Sequence, residues 1–165
     1  MQNRGFTLIE TIIYIGLFGI LMTGIISAVF TLYENGDRNQ TKAMLQEEKE
    51  FIFGKINYAL SGARKVCSPS TNSSGNTLSV LKYGTFSTCA SPDVTITFTP
   101  PDVTYNFALN KLNNSNITVR NLTFIDTYAG GTNPESIEAG FTISATSTNG
   151  LAISQTASTT RYVRK

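Results

Sequence analysis

Residues 5–30 of this 165-residue chain read GFTLIETIIYIGLFGILMTGIISAVF. The 25 residues from Phe6 to Phe30 contain one carboxylate, Glu10, and no Lys, Arg or His. At about 1.5 Å of rise per residue, a helix of this length crosses a hydrocarbon core of about 30 Å. The segment therefore predicts a membrane-spanning helix. The alternative, a core helix of a soluble protein, is disfavoured because such helices are seldom so uniformly apolar.

A secretory signal peptide has its parts in a different order. Its apolar region is about 7–15 residues long and precedes a small-residue cleavage site. Here the apolar run is longer, and the small residue Gly5 lies before it, at the end of a short polar leader. This order argues against removal of the apolar run.

Glu10 lies near the start of the apolar run. A charged side chain inside a membrane is costly, and such residues are usually functional. Two interpretations stay open: the carboxylate reaches the cytoplasmic face by snorkelling, or it pairs with a positive charge from outside the helix. The second needs an external partner, because the run itself holds no Lys or Arg.

Residues 5–10, GFTLIE, followed by the long apolar run, resemble the class III signal of type IV pilins and type II secretion pseudopilins. The resemblance implies that a membrane aspartyl peptidase, the prepilin peptidase, cuts between Gly5 and Phe6 on the cytoplasmic side. The same enzyme would then N-methylate Phe6. The resemblance also implies that Glu10 pairs with the N-terminus of a neighbouring subunit and sets the register between stacked helices.

The same resemblance implies a location and a set of partners. The chain would cross the inner membrane once, with its globular domain outside the cytoplasm, and then join a periplasmic or extracellular filament. The implied partners are other pilin or pseudopilin subunits in a helix-to-helix filament core, the prepilin peptidase, the inner-membrane assembly platform, and membrane lipid before assembly. No cofactor is implied.

Composition restricts the chemistry of the rest of the chain. Without His, a Ser-His-Asp triad is excluded, and two Cys alone are too few ligands for a zinc site. Residues 34–66 and residues 67–165 each carry six basic and five acidic residues, so neither segment has the excess of Lys and Arg that is typical of a nucleic-acid-binding surface. The composition argues against an enzyme and a metal site, and together with the resemblance it predicts a structural protein. Chemistry built on carboxylates alone stays open.

Past Phe30 the helical pattern continues as an amphipathic segment. Its apolar residues recur at helical spacing and are Leu45, Ile52, Phe53, Ile56, Ala59, Leu60 and Ala63. Charged residues occupy the other side, as on a solvated face. Pro69 and the Ser/Asn/Gly-rich stretch 68–76 predict that the helix ends near Lys65 or Val66.

The remainder of the chain predicts an antiparallel β domain. Apolar residues alternate with Thr, Ser and Asn, which is typical of half-buried strands. The predicted strands are 78–83, 94–98, 103–109, 117–119, 122–124, 137–145 and 151–153. With the amphipathic helix covering the apolar face of one sheet, the fold class is α+β, a long N-terminal helix packed on a C-terminal antiparallel sheet. This is also the pilin fold that the resemblance implies.

The predicted organisation is therefore a leader at 1–5, a transmembrane and filament-core helix at 6–33, an amphipathic helix half at 34–66, and a β domain at 67–165. Cys67 and Cys89 form a disulfide if this domain faces an oxidising compartment; two free thiols are the alternative.

The function implied is that of a structural subunit of a type IV pilus or a type II secretion pseudopilus, of the minor kind. The chain has no Pro before Pro69, whereas many major pilins carry one in the apolar helix. The segments LQEEKEFIFGKINYALSGARK and VRNLTF…ESIEAGFTISA loosely resemble minor pseudopilins of the J class. The alternatives are a major pilin and a tip adhesin whose loops 68–77 and 127–136 contact a ligand.

Overall fold

The structure is a computed structural model that describes residues 7–82, 88–106, 110–127 and 135–163. One helix, α1, spans Leu8–Leu60 and is followed by strands. The chain divides into two compact units, Met1–Asn39 and Gln40–Lys165, so that α1 begins in the first and ends in the second.

The second unit holds two antiparallel sheets. The first sheet has the strand order β1-β3-β4-β5-β6 and the second has the order β2-β7-β8-β9. Within the described residues the strands are β1 Lys65–Ser68, β2 Ser74–Gly75, β3 Thr77–Leu81, β4 Val94–Thr99, β5 Asp102–Tyr105, β6 Asn110–Lys111, β7 Ile117–Thr127, β8 Glu135–Thr146 and β9 Ala152–Val163.

In the first unit, α1 exposes its large apolar side chains to the surroundings. From Leu8 to Tyr33 their exposed fractions run from 40% to 80%. An 18-residue window of the helix has a mean hydropathy of 2.3 and no buried residue, so the segment is long and apolar enough to cross a membrane. An apolar surface of this extent is normally covered by lipid or by another protein.

In the second unit, α1 has the buried apolar stripe predicted from its sequence. Leu45, Ile52, Ile56 and Ala59 are fully buried. Phe53 packs at the edge of the same cluster, with its ring centroid 5.0 Å from that of Phe141. The helical periodicity of the sequence is thus confirmed, because one face of α1 closes a hydrophobic core that also contains residues of both sheets.

The predicted helix end near Lys65 or Val66 is wrong. α1 ends at Leu60, and Gly62 takes the left-handed conformation with φ of 72°. Glycine adopts this conformation without steric cost, which makes it the usual residue just past a helix end. The chain then reverses, and Lys65–Ser68 pairs with β3 instead of extending the helix.

The sheet was also more complex than predicted, because the strands form two sheets and not one. The segments predicted at 117–119 and 122–124 belong to one continuous strand, β7, whose pairing with β8 is interrupted by a bulge. Asn121 lies at this bulge with a positive φ of 54°. The predicted strand residues 83 and 107–109 lie outside the described residues.

The short strands β1, β2 and β6 were not predicted. With two to four residues each, they have too few positions to show an alternation. A hydrogen bond links the second sheet to the chain just before β5 of the first sheet: the Val119 N–H of β7 donates to the Pro101 carbonyl at 3.0 Å. The two sheets and the buried face of α1 therefore share one core.

Candidate functional site

Two of the three residues predicted at the N-terminal site, Gly5 and Phe6, lie outside the described residues. The third, Glu10, lies in the first turn of α1. The Thr7 carbonyl accepts hydrogen bonds from the Glu10 N–H at 3.1 Å and from the Thr11 N–H at 3.3 Å, so that the helix is already formed at this residue. A carboxylate near a helix N-terminus is stabilised by the unpaired N–H groups and the helix dipole.

The Glu10 carboxylate has a hydrogen-bond donor within its own helix. The Tyr14 hydroxyl donates to Glu10 Oε1 at 3.4 Å, one turn further along. The Glu10 side chain is half-buried, whereas its apolar neighbours in sequence are exposed. Between Arg4 and Arg38 the sequence contains no Lys or Arg, so this stretch of the helix offers the carboxylate a phenol but no cation.

This arrangement has the properties of a recognition site for a positive charge. The carboxylate is the one acidic side chain in an otherwise apolar segment that exposes its side chains. In a low-dielectric environment a charge attracts an opposite charge more strongly than in water, and an unpaired one is costly. A cationic partner from another molecule would satisfy it.

The predicted cysteine pair lies in the second unit. The structure joins Cys67 and Cys89 by a disulfide, with Cα atoms 5.4 Å apart. Cys67 belongs to β1, and Cys89 lies beside the isolated bridge between Thr88 and Ser91. The link therefore connects the strand that follows α1 to the loop that precedes β4.

The loop 68–77, a predicted ligand-binding loop, is tied to the second sheet. It contains β2, which pairs with β7, and the Ser73 carbonyl accepts a hydrogen bond from the Asp126 N–H at 2.9 Å. Of the other predicted loop, 127–136, residues 128–134 lie outside the described residues. No group of three or more potential metal ligands occurs in the part of the chain that the structure describes.

A polar cluster on β5, β6 and the turn before β7, with the buried Asn113 at its centre, was not predicted. Asn113 accepts a hydrogen bond from the Val103 N–H and donates to the Ile117 carbonyl, both at 2.8 Å. Its amide also donates to Asp102 at 3.3 Å, and Lys111 Nζ lies 2.7 Å from the same carboxylate. The hydrogen bond from Lys111, followed by that from Asn113, holds the pKa of Asp102 below its ordinary value, although partial desolvation opposes them.

A partly desolvated lysine, Lys82, directly follows β3. Lys82 Nζ lies 3.7 Å from the centroid of the Tyr58 ring and donates to the Tyr58 carbonyl in the last turn of α1. Burial lowers the pKa of this lysine. A cation at a helix C-terminus stabilises the unpaired carbonyls, so that Lys82 acts as a cap for α1. Neither polar cluster had a sequence signal, because each depends on tertiary contacts.

Comparison with known protein families gives a match at the N-terminus. Residues 1–26 match the family described as the prokaryotic N-terminal methylation motif. The matched range contains Gly5, Phe6 and Glu10 together with most of the apolar run. No curated protein and no solved structure matches the chain.

Proposed function

Since this chain carries the N-terminal methylation motif that marks the type IV pilins and pseudopilins, we propose that it is a minor structural subunit of a type IV pilus or a type II secretion pseudopilus. The observation that carries the proposal is the order of three features: the short leader ending in Gly5, Glu10 five residues later, and the exposed apolar part of α1. Pilins are structural proteins, and assembly through this helix is their function.

The first step of the proposed pathway is processing. The prepilin peptidase cleaves between Gly5 and Phe6 and then methylates the new amino group of Phe6. Gly5 gives the enzyme access to the backbone because it has no side chain. Arg4 in the leader helps to keep it on the cytoplasmic side, where Lys and Arg are favoured.

The second step is assembly. The subunit is held in the inner membrane by the apolar half of α1, with residues 67–165 outside the cytoplasm. It leaves the membrane when the helix packs against helices of other subunits, a process served by the inner-membrane assembly platform. Glu10 then pairs with the N-terminal amine of a neighbour, and this contact sets the register between stacked helices.

The proposal of a minor subunit is supported by the apolar segment itself. It contains no Pro, and α1 runs without interruption from Leu8 to Leu60. The abundance of the chain in sheared filaments tests this proposal. A trace amount relative to the main subunit supports a minor role, whereas a stoichiometric amount identifies a major pilin.

Processing is the sharpest test of the proposal as a whole. Coexpression of the full chain with an active prepilin peptidase should remove the five residues that precede Phe6 and add a methyl group, as measured by intact mass. Gly5→Ala should reduce or abolish the change, and the matched control Gly16→Ala, inside the helix, should leave it intact. An unchanged mass with a peptidase that cleaves a known substrate would contradict the proposal.

A further inference from the structure

Tyr14 has a contact that the filament role of the chain does not account for. Its hydroxyl lies 3.4 Å from Glu10 Oε1, and the two residues are four positions apart. Side chains at this spacing lie on the same face of a helix, and a long side chain leans back over the preceding turn. The phenol of Tyr14 therefore covers the turn that holds the carboxylate.

Other hydroxyls in the first unit's part of α1 are directed elsewhere. Thr11, Thr23 and Thr31 donate to main-chain carbonyls of the preceding turn, at 2.8, 2.8 and 3.0 Å. Threonine hydroxyls lie close to the helix backbone and favour such bonds. The Tyr14 hydroxyl lies at the end of a rigid ring, away from the backbone, and its acceptor is the carboxylate.

A hydrogen bond to an ionised group is stronger than one between neutral groups, and in a lipid environment water is not available to replace it. Tyr14 is 57% exposed and so presents its ring to the same surroundings as the neighbouring apolar side chains. The contact thus supplies the carboxylate with a donor at a place where the helix offers no cation.

We propose that Tyr14 is a positioning residue for Glu10. Its phenol holds the carboxylate on one face of α1 while the subunit lies in the membrane, and so presents it to the amine of a neighbouring subunit. This inference rests on the proposed function, since it concerns the same carboxylate, but it adds a residue of this chain outside the GFTLIE segment.

Vibrational spectroscopy tests the contact directly. In ultraviolet resonance Raman spectra of the processed full-length protein in lipid vesicles, the tyrosine Fermi doublet reports whether a phenol donates a hydrogen bond. The difference between wild type and Tyr14→Phe isolates the Tyr14 component. In Glu10→Val, which removes the acceptor, the Tyr14 component should change to that of a phenol that does not donate a hydrogen bond. An unchanged Tyr14 component in Glu10→Val would overturn the contact.

Incorporation into filaments tests the positioning role. Tyr14→Phe keeps the ring and removes the donor, and Tyr33→Phe is the matched control because it removes an exposed phenol from the same helix. With cleavage complete in both, Tyr14→Phe should enter filaments about threefold less than wild type, the size expected from an average side-chain hydrogen bond within a membrane protein. The Tyr33 variant should enter as wild type does.

The failures of the two proposals are distinguishable. If Glu10→Val abolishes incorporation and Tyr14→Phe matches Tyr33→Phe, the filament role of Glu10 stands and the positioning role of Tyr14 is overturned. If Glu10→Val itself enters filaments normally, the charge-pairing role fails. A changed Raman component together with reduced incorporation of Tyr14→Phe supports the inference.

Discussion

Under the proposed function, Glu10 combines two requirements that conflict in a membrane. The carboxylate must stay charged to bind a cationic partner, yet charge in an apolar environment is unfavourable. The position in the first turn of α1 reduces the conflict, because the N-terminal N–H groups and the Tyr14 hydroxyl both stabilise negative charge. The carboxylate therefore has groups that stabilise its charge before a cationic partner binds.

From this we predict that Glu10→Val leaves cleavage by the prepilin peptidase intact and strongly reduces incorporation into filaments. Cleavage acts on the Gly5–Phe6 bond, whereas incorporation needs the carboxylate to pair with a neighbour. Intact mass measures the first, and immunoblots of sheared filaments measure the second. Glu34→Gln, which removes an exposed carboxylate from the same helix, serves as the control. Normal incorporation of Glu10→Val would refute the charge-pairing role.

Asn113 is a buried residue that constrains the turn before β7. Its side chain is 3% exposed and bonds to Val103, Ile117 and Asp102. Asn113→Ala leaves a buried N–H and a buried carbonyl without their partners, which should lower the free energy of unfolding by about 2 kcal/mol.

Urea unfolding of the detergent-solubilised protein measures the effect of Asn113→Ala. Asn116→Ala, at an exposed position of the same turn, is the control and should lie within about 0.5 kcal/mol of wild type. Equal stability of the two variants would show that water replaces the amide of Asn113.

At the scale of the element, the end of α1 shows how one glycine overrides a periodic pattern. The apolar stripe continues to Ala63, which is buried, but the backbone turns at Gly62. Gly62→Ala should destabilise the protein by about 1 kcal/mol, because a side chain is disfavoured in the left-handed conformation. An alanine at Gly54 should instead stabilise the protein, because Gly54 lies inside the helix and has open space around an added Cβ.

Gly54→Ala is therefore the control for Gly62→Ala. It should raise the free energy of unfolding by about 0.5–1 kcal/mol, since alanine is the better helix former and nothing obstructs its methyl group. Thermal melts of the two variants measure whether each substitution raises or lowers the stability of the protein. Destabilisation by both substitutions would show that the turn at Gly62 is not the source of the first effect.

Elements with a periodic sequence pattern of their own were predictable from the sequence, whereas features that depend on strand pairing or on side-chain contacts were not. The apolar run of α1, its buried stripe at Leu45 and Ile52, and the long strand β8 show periodicity over many residues, whereas the bulge in β7 interrupts its alternation. The division into two sheets depends on which strands pair, and alternation alone carries no information about pairing. Glu10 was predictable from its motif, whereas the Tyr14 contact required the position of a side chain.

At the scale of the whole molecule, the amphipathic half of α1 and the two sheets depend on one shared hydrophobic core. The buried face of the helix, with Ile52 and Ile56, meets residues of both sheets, such as Val80 and Phe124, in one cluster. If the chain assembles through α1 as proposed, this shared core is what holds the β domain to the helix. The chain segment between Leu60 and β4 links the helix to the rest of the first sheet, and Leu78 and Val80 of this segment belong to the same core.

The cysteine pair closes this connecting segment, and we propose that it is oxidised in the mature protein. The two residues are 22 positions apart, so in the chain-entropy model the bond stabilises the domain by about 3 kcal/mol. Intact mass after alkylation, with and without reductant, measures the state of the thiols. Two alkylatable cysteines in the purified, unreduced protein would contradict the proposal.

The energetic part of this prediction needs matched variants. Cys67→Ser and Cys89→Ser should each lower the free energy of unfolding by about the same amount, and the double variant should add little, because either substitution alone removes the bond. Additive losses would instead show that each thiol contributes through its own packing. Wild type under reductant should match the variants, since the covalent link between β1 and the loop before β4 is then absent in all of them.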